Sequence, residues 1–109
     1  MPIILDYNGD IVTCSSLDDA QKTVEAPDVR AGNVRIYDAR GRKLDAHIYR
    51  HILAERVGIH PRPDASDEST ELSAALTRFL RATGTKQIEG LTLQELIKEV
   101  EKKQSERHR

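Results

Sequence analysis

The residue types best suited to chemistry in this 109-residue chain are concentrated in one segment, "IYDARGRKLDAHIYRHI", residues 36–52. Within it, His47 and His51 lie four positions apart and face the same way on a strand or a helix, and Asp45 shares the strand face. Two imidazoles and a carboxylate can hold a divalent metal ion or act in general acid–base catalysis. Metal sites usually carry tighter sets such as HExxH or paired CxxC, and the sequence contains neither. We therefore predict no metal, no cofactor and no catalysis, with a small enzyme built around His47 and His51 as an alternative.

The same segment and the residues before it are rich in cationic and aromatic side chains, which suit the binding of a partner or an anion. The residues that we predict to form this surface are Arg35, Tyr37, Arg40, Arg42, Lys43, His47, Tyr49 and Arg50. If Tyr37 and Tyr49 share the outer face of a sheet, they can stack on bases while the arginines neutralise phosphates. A nucleic-acid-binding hairpin over residues 35–56 is therefore a second alternative, which the net charge of only −1 disfavours.

Charge is distributed along the chain in blocks of opposite sign. Residues 1–33 carry two basic and six acidic side chains, residues 35–62 carry seven basic and three acidic ones, and residues 64–76 carry four acids and no base. Segregated charge on a small scaffold is typical of electrostatically steered recognition of another protein. The sequence therefore predicts a non-catalytic protein-binding module of the bacterial immunity-protein, antitoxin or adaptor class, whose partner presents an acidic surface.

The N-terminal residues predict a β-hairpin followed by a short helix. Asn8 and Gly9 favour a two-residue type I′ turn, because both central positions of that turn need a positive φ. Such a turn pairs Ile3 with Cys14 and makes Cys14, the only cysteine, a small buried side chain. The helix after it is expected to begin at a Ser16 cap and to end at Pro27.

Residues 34–60 are expected to form strands. The "DARGR" sequence supplies a turn in which Gly41 takes the left-handed conformation of a bulged hairpin loop. Apolar residues in 44–57 also fit the period of a helix, so a helix is the competing interpretation there. A strand is preferred because a hairpin turn comes first and alternation is strict over residues 44–48.

Two helices are expected in the C-terminal half, after a linker with the composition "HPRPDASDES". They are "STELSAALTRFLRATG" and "LTLQELIKEVEKK", and the second begins with a capping-box spacing of Thr92 and Glu95. The apolar stripe of that helix can cover the sheet of its own chain or pair with a second copy, and we expect the first, hence a monomer rather than a homodimer. Residues 101–109 contain no apolar side chain and are expected to form a frayed or disordered tail.

The predicted fold class is therefore α+β, a small antiparallel sheet of four or five strands covered on one face by helices, in the order β-β-α-β-β-(β)-α-α. Residues 1–100 are expected to form one domain. The chain shows no signal-peptide pattern and no apolar run near the ~20 residues that span a bilayer. We therefore expect a cytoplasmic protein that does not enter a membrane.

Overall fold

The computed structural model describes residues 2–61 and 67–107. Its elements in chain order are β1 Ile3–Tyr7, β2 Asp10–Cys14, α1 Leu17–Thr23, α2 Ala26–Ala31, β3 Arg35–Asp38, β4 Lys43–His51, β5 Ala54–Pro61, α3 Ser69–Ala82 and α4 Leu93–Arg107. The strands form one antiparallel sheet in the order β2-β1-β3-β4-β5. The α+β class and the antiparallel sheet are thus confirmed, and residues 44–57 form parts of two strands and the turn between them rather than a helix. Residues 62–66 of the predicted linker lie outside the described residues.

The β1–β2 hairpin has the predicted turn and register. Asn8 and Gly9 both have positive φ, of 53° and 106°, and Ile3 pairs with Cys14. The carboxylate of Asp6 accepts a hydrogen bond from the Gly9 N–H at 2.7 Å, which stabilises the turn. Cys14 is a buried free thiol, as expected, and burial raises its pKa.

Helices pack on both faces of the sheet, whereas the sequence analysis expected them on one. Ile4 of β1 belongs to the core cluster beneath α3 and α4, while its neighbours Ile3 and Leu5 belong to a second cluster shared with α1. Successive residues of a strand point to opposite faces. The unbroken apolar run at residues 3–5 is therefore the signature of a strand buried on both sides.

Pro27 begins a helix rather than ending one. Helix α1 has the predicted Ser16 cap, whose hydroxyl accepts the Asp19 N–H at 3.1 Å, and it stops at Thr23. A second short helix, α2, then starts with Pro27 in its first turn, where the missing N–H of proline costs nothing. The prediction that Pro27 terminates the helical region is corrected by this extra helix.

The two C-terminal helices bury their predicted apolar stripes in their own chain. Leu72, Leu76 and Leu80 of α3 pack against Ile97 and Val100 of α4 in one cluster. The first turn of α4 carries the expected reciprocal capping box. These two bonds join the Thr92 N–H to Glu95 at 3.0 Å and the Glu95 N–H to Thr92 at 3.2 Å.

Helix α4 continues beyond Val100 to Arg107, through most of the segment predicted as a tail. The Gln104 side chain accepts the Thr13 N–H at 2.9 Å and donates to the Ile11 carbonyl at 3.0 Å. It therefore pairs with the outer edge of β2 in the way that another strand would. Residues 108 and 109 lie outside the described part. None of the helices described combines the length and the apolar composition needed to cross a membrane.

Candidate functional site at the β4–β5 hairpin

The structure does not gather the eight predicted surface residues into one patch. Arg40, Arg42 and Lys43 lie at the β3–β4 turn, where β4 begins, whereas Tyr49 and Arg50 lie near its other end. A strand of nine residues is about 30 Å long, so the two groups are separated by most of the sheet's height. They form two distinct surfaces at opposite ends of one strand.

Tyr37 lies in the core, not on an outer face. Its side chain is fully buried beneath α3, and its hydroxyl donates to Glu71 Oε1 at 2.8 Å. Burial and this hydrogen bond raise the pKa of Tyr37, while the bond from Tyr37 lowers the pKa of Glu71. The expectation that Tyr37 stacks on a ligand beside Tyr49 is therefore wrong.

Arg35, also predicted as a binding residue, is engaged within the chain. Its guanidinium contacts Glu71 Oε1 at 3.0 Å, so one carboxylate on α3 receives both Arg35 and Tyr37. The ion pair is solvent-accessible and holds β3 against the start of α3. Such a pair adds little free energy but fixes the arginine in one place.

The β3–β4 turn is built into the body of the protein. Asp38 Oδ1 accepts the N–H groups of both Arg40 and Arg42 at 2.9 Å, and Gly41 has the predicted left-handed conformation at φ 87°. The Glu68 N–H donates to the Gly41 carbonyl at 3.0 Å, which docks the beginning of α3 on the turn. The side chains of Arg40 and Arg42 remain exposed.

A row of three rings lies on the face of β4 and β5 that α3 and α4 leave open. The ring of His47 packs over Gly58, where a Cβ atom would come within 2.5 Å of it. The centroid of the His47 ring lies 5.0 Å from that of His60 and 5.8 Å from that of Tyr49. The core cluster beneath α3 and α4 takes its strand residues from β1 and β2 and from the β3 segment, so this row is not part of it.

These rings do not make a metal centre within the described part of the chain, where no group of three His, Cys, Asp or Glu side chains is placed to hold an ion. The side chain of His51 lies outside the described residues, and so does the expected partnership of His47 with His51. His60, rather than His51, is the imidazole that the structure places beside His47.

The tip of the β4–β5 hairpin is apolar, which the sequence analysis missed. Ile52 and Leu53 form its two-residue turn between the paired residues His51 and Ala54, and their exposed fractions are 83% and 96%. Ile52 has a positive φ of 58°, whereas Leu53 does not. A positive φ at the first central position is characteristic of a type II′ turn, whose usual residue there is glycine. A β-branched residue in this conformation is a true outlier.

A signal for this tip exists in the sequence, although it is an indirect one. Two strands that meet without any Gly, Asn, Asp or Pro between them must turn on residues poorly suited to turning, and residues 51–54 are such a place. The sequence pattern predicts strands in this segment but does not place the turn between them.

Comparison with known protein families, with curated proteins and with solved structures gives no match.

Proposed function

We propose that this chain is a small non-catalytic protein-binding module of the immunity-protein, antitoxin or adaptor class, and that it inserts the tip of the β4–β5 hairpin into an apolar depression on its partner. One observation carries the proposal. Two adjacent aliphatic side chains, Ile52 and Leu53, are almost fully exposed on a turn that a polar or glycine sequence would form with less strain.

The energetics favour a binding role for the tip. A residue held in a sparsely populated backbone region costs on the order of 1–3 kcal/mol, and this cost brings no packing in the free protein because both side chains face solvent. Burying Ile52 and Leu53 against a partner returns about 1.5–3 kcal/mol for each side chain. Strain of this kind is concentrated at sites that act on something else.

The charges beside the tip suggest the nature of the partner's rim. Arg50 and Arg56 are exposed on the two strands of the hairpin, and Tyr49, which lies opposite Arg56 in the register, is 47% exposed. Glu55, the acid nearest the tip, is occupied by an ion pair with Arg30 of α2. The hairpin thus presents an apolar end with a basic surround, which complements an apolar depression with acidic side chains around it.

Leu53→Asp tests the proposal directly. A photo-crosslinking amino acid placed at position 53 in the producing cell identifies the partner, which is then purified for binding measurements. We expect Leu53→Asp to weaken binding roughly 30-fold or more, because a central aliphatic anchor is replaced by a charge.

Leu17→Asp is the matched control for that experiment. Leu17 is also an exposed large aliphatic, at 39%, but it lies at the start of α1, where a carboxylate is compatible with the helix dipole. Binding of the Leu17→Asp variant should equal that of the unaltered protein. Equal affinity of the Leu53→Asp variant and the unaltered protein would remove the tip from the interface and the proposal with it.

The proposal includes a monomeric state and a cytoplasmic location. Leu96, Ile97 and Val100 are buried within their own chain, which leaves the α4 stripe with no need of a second copy. A lone buried thiol such as Cys14 suits a reducing compartment. Light scattering at high micromolar concentration should give the mass of one chain, and a mass of two would contradict this part of the proposal.

A further inference from the structure

Strand β5 is the last strand of the sheet, and the register of the β4–β5 hairpin shows which of its backbone groups point outward. Ile59 donates its N–H to Gln21 Oε1 of α1 at 3.0 Å, so the N–H of Ile59 points away from β4. Outward and inward groups alternate along an antiparallel strand, and the pairing from His51–Ala54 onward has no bulge. Glu55 and Val57 therefore also direct their N–H and C=O groups outward.

The opposite edge of the sheet shows what a closed edge looks like here. On β2, both the Thr13 N–H and the Ile11 carbonyl bond to the side chain of Gln104. On β5, the side chain of Gln21 bonds to one outward group, the N–H of Ile59. No side chain of the described part of the chain bonds the outward groups of Glu55 or Val57, so this half of the edge presents an unpaired template.

A groove of about 520 Å³ runs beside the open half of the β5 edge. Its apolar lining comes from Val24, Ala26 and Val57, and its polar lining includes Asp18, Lys22 and Glu25 of the α1 side. The ion pair between Arg30 and Glu55 lies at the border between α2 and β5. The groove is thus bounded on one side by a helix and on the other by a strand edge, with apolar surface between them.

We infer that an extended segment of the partner protein adds to the edge of β5 as a further strand, bonded to Glu55 and Val57 and lying in this groove. Strand addition is the recurring way in which an unpaired edge recognises a peptide, with the backbone giving affinity and alternate side-chain pockets giving specificity. The inference rests on the proposed protein-binding function and names its second contact.

The side chains around the groove define the chemistry of that segment. An aliphatic side chain fits over Val24, Ala26 and Val57. Most charged side chains of the groove already form ion pairs: Lys22 contacts Asp18 at 3.1 Å and Glu55 contacts Arg30, which leaves one acid, Glu25, and one base, Arg56, among the lining residues. The segment is therefore an extended one that places an aliphatic residue over this apolar surface, and the groove favours neither sign of charge in it.

The probe for this inference is a phage-displayed library of random 12-residue peptides selected against the whole immobilised chain. The expected products are peptides with an aliphatic residue in an extended sequence, whose binding slows hydrogen exchange at the amides of Glu55 and Val57. Ile59 serves as an internal reference, because its amide is bonded to Gln21 before any peptide binds.

Glu55→Pro and Glu55→Ala form a matched pair of variants. Both lose the ion pair with Arg30, but only Glu55→Pro also lacks the outward N–H, and proline is tolerated on an edge strand where that group faces away from the sheet. We expect Glu55→Pro to bind the selected peptides about tenfold more weakly than Glu55→Ala does. Circular dichroism establishes that both variants are folded; if Glu55→Pro is not, the exchange measurement on the unaltered chain decides.

Three results would overturn the inference: no enriched peptide, equal binding by the two Glu55 variants, or exchange protection confined to Ile52 and Leu53. Leu53→Asp separates this inference from the proposed function. It should leave the selected peptides bound at unchanged affinity while it weakens binding of the whole partner. If the groove binds no peptide but Leu53→Asp still weakens binding of the partner, the proposed function stands and strand addition is excluded.

Discussion

Strand β4 joins two turns of opposite character. At its beginning, the β3–β4 turn is basic and is held by Asp38, by the start of α3 and by the side chain of Gln94, which donates to the Ala39 carbonyl at 2.7 Å. At its end, the β4–β5 turn is apolar, and both of its central side chains face solvent. The first turn is bonded to the body at several points, whereas the second extends from it.

The contrast separates residues that stabilise the fold from residues that are available to a partner. Gly41 meets a local need, because a positive φ and a close approach to α3 coincide there. Ile52 also has a positive φ, but it is the wrong residue type for that conformation and gains no contact from it. Substitutions at the two turns should therefore have opposite effects on the free energy of unfolding.

The largest effect is expected at the anchored turn, from Gly41→Ala. A Cβ atom at this position would lie 2.5 Å from the Ser69 Cα and would also force an alanine to φ 87°. We expect the free energy of unfolding in urea to fall by roughly 2–5 kcal/mol, from left-handed strain and overpacking combined.

Gly84→Ala is the control for that prediction. Gly84 has nearly the same φ, 85°, but nothing lies within 4 Å of the position that its Cβ would take. This variant should lose only the strain component, about 1–2 kcal/mol. Equal losses at Gly41 and Gly84 would mean that the docking of α3 on the turn adds nothing.

A smaller loss is expected from Asp38→Ala. The substitution removes the acceptor of two backbone N–H groups, those of Arg40 and Arg42, and should lower the free energy of unfolding by about 1–3 kcal/mol. Asp38→Asn keeps the Oδ1 acceptor and should retain most of the stability. If the two variants unfold at the same urea concentration, the bonds at this turn are not what anchors it.

At the β4–β5 turn we expect a substitution to raise the free energy of unfolding instead of lowering it. Ile52→Asn places at the tip the residue that already occupies a left-handed position at Asn8, and should raise the free energy of unfolding by about 1 kcal/mol while weakening partner binding. Leu53→Asn removes a comparable apolar side chain without a positive φ, so its stability should stay within ~0.5 kcal/mol of the unaltered protein. A loss of stability in Ile52→Asn would show that the tip is supported by contacts of its own.

The smallest effect on the free energy of unfolding is expected from pH, and it arises at Glu71, near the β3–β4 turn. The hydrogen bond from Tyr37 holds the pKa of Glu71 below its usual range in the folded protein. A depressed carboxyl pKa contributes stability that is present above the unfolded-state pKa and is lost as pH falls through the folded-state value. Because Glu71 is partly exposed, the contribution should be under about 1 kcal/mol.

Urea titrations from pH 6 down to pH 3 measure this effect, with Tyr37→Phe as the comparison. The variant lacks the hydroxyl that donates to Glu71, so its stability should fall less steeply in acid than that of the unaltered protein. Identical slopes for the two proteins would rule out the Tyr37–Glu71 bond as the source. Ile52→Asn should not change the slope, because the tip contributes nothing to it.

Most of the fold could be predicted because its signals are local. The turn at Asn8 and Gly9 fixes the register of the first hairpin, and the capping box of Thr92 and Glu95 fixes the start of α4. Helix α2 escaped prediction because its local signal is ambiguous. Pro27 suits the first turn of a helix as well as the end of one, and only the capping by Gly32 at φ 68° shows which applies.

The candidate site was less predictable because it depends on distant parts of the chain. The cations can be read from the sequence, but their distance apart depends on the length of β4. The burial of Tyr37 depends on α3, which packs over β3 from more than thirty residues away. The tip at Ile52 and Leu53 was overlooked because its apolar side chains resemble those of a strand interior. Ile52 and Leu53 are exposed because the chain turns at these residues, and the residue types alone do not show where it turns.

The hydrogen bonds between Gln104 and β2 occupy edge groups through which β2 could otherwise pair with a second copy. Unpaired edge strands recruit copies of themselves, and aggregation through such edges is a hazard that native proteins block with specific devices. Here the device is one amide side chain close to the end of the described helix, so loss of the final turns would leave the Ile11 carbonyl and the Thr13 N–H without this partner. A few residues near the end of α4 therefore cover backbone groups of β2 to which another strand could otherwise bond.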